Sequence, residues 1–173
     1  MKPLHLVLLL PITCLLLGCS EKSIIEEELI VGHWESESVC ISSDPLFTKS
    51  VYTETYSADG TFRLVGDTVF SIKGTGEIIM RVHMMESGTW KIRKNKLICR
   101  YTSYEILEFT SNDPSITQNT FKAEIEYTMR EENRFVYKIT SAFPNKITYE
   151  WDSGECSAIM RRKESLDGPV IER

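Results

Sequence analysis

Few side chains in this sequence have the type and spacing that chemistry requires. The 173 residues carry five Cys, at positions 14, 19, 40, 99 and 156, and three His, at 5, 33 and 83. No Cys/His spacing fits a zinc site, so no metal is expected. His33 and His83 fall on the outward phase of their segments and read as surface residues. Glu105 and Glu108 are paired acids, but nothing sets them about 5–10 Å apart across a cleft, as glycoside hydrolysis needs. Gly74-Thr75-Gly76 is too short for a phosphate loop and has no helix after it. No Ser/His/Asp arrangement is signalled. The sequence therefore predicts no catalytic residue, no cofactor and no enzyme activity.

The thiols depend on their compartment. Lys2 precedes an apolar run from Leu4 to Leu17, interrupted by His5, Pro11 and Thr13. The run is shorter than the roughly 20 residues a spanning helix needs, and reads as a secretion signal. Leu16-Leu17-Gly18-Cys19 resembles the lipobox of bacterial lipoproteins. The resemblance implies cleavage before Cys19, acylation of Cys19 and attachment to a membrane through it. It gives a signal peptide over 1–18, an acylated tether over 19–29, a folded domain over 30–163 and a C-terminal tail over 164–173. Ser20 rather than Asp after the Cys implies outer-membrane delivery, facing the periplasm, by the sorting rule of enterobacteria. Cys40, Cys99 and Cys156 are then left in an oxidising space, enough for one intrachain disulfide and one free thiol. The formal charge of −5 becomes about −6 without Lys2, which argues against nucleic acid as a partner.

The elements that position these residues read as strands. From Val31 onward apolar and polar residues alternate, with turn signals such as Ala58-Asp59-Gly60, Lys94-Asn95, Pro144-Asn145 and Asp152-Ser153-Gly154. Phe121 to Arg130 alternates most regularly and is expected to be a strand. Phe135, Tyr137 and Ile139 continue the pattern, as do Ile147, Tyr149 and Trp151, and Ile78, Met80, Val82 and Met84. About eight to ten antiparallel strands are expected, with no helix longer than two turns. Consecutive hairpins with one apolar face close as an all-β, up-and-down barrel. Closure requires the first and last strands to pair. Pairing His33–Ile41 with Glu155–Lys163 so that partner numbers sum to 196 sets Trp34 opposite Arg162 and Cys40 opposite Cys156, on one side of the sheet. This register predicts a Trp34–Arg162 stack and a Cys40–Cys156 disulfide.

Gly32-His33-Trp34, with a basic residue on the last strand, resembles the Gly-x-Trp and closing Arg of lipocalins. Tyr56 to Phe62, followed by Ser87-Gly88-Thr89-Trp90-Lys91-Ile92, is similar to small lipocalin-like domains of bacterial lipoproteins. The Thr-Asp-Tyr motif of larger lipocalins is absent. Phe62, Trp90, Tyr127, Tyr137, Tyr149 and Trp151 are expected to face the interior and to line any ligand site. An eight-stranded barrel is wide enough either for packed side chains or for one small ligand. Two functions stay open. One is a binding module for a small apolar or amphipathic molecule. The other is a solid barrel that contacts or inhibits an envelope protein through loops Ser42–Lys49 and Ser111–Thr120.

Overall fold

The computed structural model describes residues 25–41, 45–131 and 133–163. The leader, Cys19 and the tail at 164–173 lie outside them. The alternating segments form eight strands: β1 (Gly32–Ile41), β2 (Leu46–Tyr56), β3 (Thr61–Ile72), β4 (Ile78–Arg93), β5 (Lys96–Ser111), β6 (Arg134–Phe143), β7 (Lys146–Trp151) and β8 (Cys156–Arg162). Each pairs antiparallel with its neighbour in sequence, and β1 pairs with β8, so the sheet is an up-and-down closed barrel. The β1–β8 register is the one that sums to 196: Trp34 faces Arg162 and Cys40 faces Cys156. The two cysteines form a disulfide.

One expectation fails. Gln118–Glu131 is an α-helix, α1, inserted between β5 and β6. Phe121, Ile125 and Met129 recur every four residues and so satisfy a helix as well as a strand. The residues between them decide the matter. Lys122, Ala123, Glu124, Glu126 and Arg130 all favour helix. Thr117 caps it: its Oγ1 accepts from the Thr120 amide at 3.2 Å, while the Thr117 amide donates to Thr120 Oγ1 at 2.9 Å. The proposed contact loops are shorter than expected for related reasons, since Leu46–Lys49 belongs to β2 and Gln118–Thr120 to α1.

The two poles of the barrel differ. At one pole the core is solid. Ile25, Ile30, Trp34, Tyr56, Phe62, Trp90, Leu97, Ile147 and Met160 pack there as buried members of one hydrophobic cluster. A single 3-10 turn at Glu27–Leu29 carries the chain into this plug. Arg162 locks it. Its guanidinium lies 4.3 Å from the Trp34 ring centroid and donates to the carbonyls of Leu29, Val31 and Pro144 at 3.0, 3.0 and 2.7 Å. Trp34 Nε1 donates to Ile30 O at 2.7 Å. Gly32 is needed here twice over. Its φ is +136°, and a side chain would occupy the place of Arg162 Nη1. The Lys94–Asn95 hairpin also belongs to this pole, with φ of 49° and 59° as a two-residue turn of this hand demands.

At the other pole β4 and β5 run on together for most of their 16 residues. β6 pairs with β5 only over Lys96–Arg100. Beyond that point no described residue pairs with β5 as a strand on its β6 side, and α1 packs beside it. Phe121 meets Phe70 and Phe109 at ring centroids of 6.1 and 5.8 Å, which holds the helix over the open end.

Candidate functional site

A cavity of about 370 Å³ lies between the solid pole and α1. Every element around it contributes by strand parity or helix face. β1 supplies Ser36, Ser38 and Cys40, and β2 supplies Ser50, Tyr52 and Glu54. Leu64 comes from β3, Glu86 from β4 and Tyr101 from β5. Phe135 and Tyr137 come from β6, with Tyr149 and Trp151 from β7. α1 closes the roof with Phe121, Glu124, Ile125, Thr128 and Met129, residues that share one helical face. The side chains of Tyr137, Tyr149 and Trp151 form a compact aromatic group, with centroids 4.9–5.8 Å apart. Tyr101 Oη and Tyr137 Oη hydrogen-bond each other at 3.1 Å, and Tyr52 Oη bonds Thr68 Oγ1 at 2.8 Å.

Two carboxylates stand in this aromatic setting. Glu54 is buried and accepts from Tyr56 Oη at 2.8 Å. Burial raises its pKa, and hydrogen bonds from Ser36 and Tyr56 oppose that only in part. Glu86 keeps some open surface because it faces the cavity space, yet burial and then the Glu54 charge push its pKa up to about 7. Among the described residues no donor hydrogen-bonds to Glu86; its only neighbouring charge is the like one. Burial, with these two charges adding to it, also holds the Tyr137 hydroxyl well above its usual range. Among the described residues no Lys, Arg or His lines the cavity.

Of the six residues expected to line a ligand site, Tyr137, Tyr149 and Trp151 do so. Phe62 and Trp90 do not. They are buried in the solid pole, where Tyr56 packs on both rings and Trp90 Nε1 donates to Ser57 O at 3.1 Å. Tyr127 does not either. The helix turns it away from the roof face, leaving it 58% exposed. Glu54 and Glu86 were missed by sequence reasoning, although parity carries the signal. Tyr52, Glu54 and Tyr56 share one phase, and Glu86 continues Met80, Val82 and Met84. Cys99 is buried and free; burial raises its thiol pKa, which leaves it unreactive. Among the described residues no group of three His, Cys, Asp or Glu side chains is placed to hold a metal ion. His33 is exposed on the barrel wall, and His83 bonds Asp67 at 3.0 Å.

No family model matches this chain, and no curated protein matches it. Among solved structures it is similar to a redesigned β barrel, mFAP1, bound to DFHBI. That match has 13% identity and a TM-score of 0.37, over 78% of this chain and 96% of that one. EF1p2_mFAP2b bound to DFHBI matches at 12% identity and a TM-score of 0.37, over 79% and 96%. Likenesses of this size carry no functional information.

Proposed function

We propose that this protein is a non-enzymatic binding module, held to a bacterial envelope membrane by acylated Cys19, whose barrel takes up a small amphipathic molecule. The observation that carries the reading is the 370 Å³ cavity itself. Its volume suits one small organic molecule, and its walls combine aromatic side chains with a few polar groups, as ligand sites do. The lipobox-like Leu16-Leu17-Gly18-Cys19 supports the anchor. The solid-barrel, protein-contact alternative loses weight because the interior is not filled.

One observation favours a second reading. A buried carboxylate with a pKa near 7 is also what a general acid or base looks like. Acid–base pairs, however, sit in surroundings that push their two pKa values apart. Here burial raises both Glu54 and Glu86.

Native mass spectrometry tests the proposal. The chain carrying Cys19→Ser, purified from the envelope fraction of its own host, is expected to show an added mass that organic extraction removes. A clean apo mass in repeated preparations overturns the carrier reading. An extracted compound that reappears chemically altered after incubation with fresh protein favours the enzyme.

A further inference from the structure

Among the described residues the cavity has charged groups of one sign only: Glu54, Glu86 and Glu124 line it, and no basic side chain does. A carboxylate withdrawn from water is costly unless it is paired or fully hydrogen-bonded. Glu54 is met by the Tyr56 hydroxyl and by Ser36. Glu86 receives nothing from any described residue, and a second carboxylate is its nearest charge. Replacing it by an apolar residue would remove the burden, so its position suits a counter-charge that no described residue supplies. The walls point to the same sign. The faces of Tyr101, Phe135, Tyr137, Tyr149 and Trp151 carry the negative lobe of the aromatic quadrupole, which attracts cations. Glu124 is exposed on α1 at the edge of the cavity, and the chain as a whole is acidic, so an approaching cation meets a favourable field from the start.

We propose that the ligand is an organic cation with an apolar body, a protonated amine or quaternary ammonium, whose charged group sits between Glu86, Glu54 and the aromatic walls. This rests on the ligand-binding reading above and narrows it. The neutral hydroxyls of Ser36, Ser38 and Ser50 give the ligand further hydrogen-bond partners without adding a competing positive charge.

Binding of a cation favours the ionised carboxylate, so part of the protein releases a proton from Glu86 as the ligand enters. Affinity then rises as pH rises through about 7. The titratable groups around Glu86 do not reverse that trend. Tyr52 and Glu54 face it from β2, Tyr101 from β5, Tyr137 from β6, Tyr149 from β7 and Glu124 from α1. The four tyrosines stay protonated because burial raises every one of them. Ionisation of Glu54 acts in the same direction as that of Glu86.

The test uses three probes with one tail: octylamine, octan-1-ol and octanoate. Each is titrated by calorimetry into the chain carrying Cys19→Ser. Octylamine is expected to bind roughly 10- to 100-fold more tightly than octan-1-ol, the range of one charge-assisted contact, with octanoate weakest. The preference should widen between about pH 6 and about pH 8, and should shrink to within about twofold in Glu86→Gln. Octan-1-ol or octanoate equal to octylamine overturns the proposal, and so does an undiminished amine preference in Glu86→Gln. The neutral dye N-phenyl-1-naphthylamine separates the two levels of the argument. If the dye binds and octylamine does not, the cavity reading stands and the cation proposal falls. If dye and all three probes fail, both fall.

Discussion

Glu86 shows what one side chain does to the balance of the fold. Its pKa rises from 4.5 to about 7 on folding, through burial first and the Glu54 charge second. A carboxyl with a raised pKa favours the folded state fully below its unfolded pKa, and that contribution is lost as pH climbs through the folded value. Stability is therefore expected to fall between about pH 4.5 and about pH 7.5, by roughly 2–3 kcal/mol after allowing for the open surface of Glu86. Urea midpoints measured across that window check it. In Glu86→Gln the slope should flatten, leaving the share that Glu54 contributes in the same direction. A wild-type midpoint that rises over the window would contradict the assignment. The identity of this residue was within reach of the sequence. Alternation assigns an inward phase to Met80, Val82 and Met84, and one more step along it reaches Glu86. An acid on an otherwise apolar phase is easily passed over, because acids are mostly found at the surface. The pair Trp34 and Arg162 was legible because aromatic and guanidinium groups on facing strands suggest their own contact.

At the scale of the element, α1 is the part the sequence concealed. A four-residue recurrence is a multiple of two, so Phe121, Ile125 and Met129 obey both periods. Only Ala123 and Tyr127 separate them: a strand would bury both, and the helix leaves both exposed. Thr117-x-x-Thr120 is a start signal that lacks the acidic third residue of the usual capping box. The helix has no fully buried residue, so little holds it beyond the half-buried roof face and the Phe70 and Phe109 contacts. Local opening is expected to cost α1 much less than global unfolding. Hydrogen exchange should show its amides exchanging well ahead of those in β3 and β4. Thr117→Ala removes a cap worth about 1 kcal/mol, so it should speed exchange in α1 by roughly fivefold and leave the β3 amides unchanged. Equal acceleration in both would mean that helix and barrel open as one unit.

For the whole molecule, closure governs. The pairing of β1 with β8 could be read from the sequence because two independent pairs, Trp34 with Arg162 and Cys40 with Cys156, agree on one register. The cavity could not. Its volume depends on how eight strands and a helix share space, and no single pattern carries that sum. The Cys40–Cys156 bridge joins residues 116 apart in sequence. In the chain-entropy view a loop of that length stabilises by roughly 4–5 kcal/mol. The Cys40→Ser/Cys156→Ser double variant should lose about that much in denaturant unfolding, and the wild type under reductant should match it. A loss below about 1 kcal/mol would show that the β1–β8 ladder holds the seam without the bond. The direction of the strands has a further result. β1 begins and β8 ends at the solid pole, while the cavity and α1 occupy the other. The described chain therefore begins, at Ile25, beside the barrel's floor, with the cavity and its α1 roof toward the far end, up to about 30 Å of strand away. Coupled to a chip through either flank, it would keep its intake clear, which is the geometry an immobilised sensor needs.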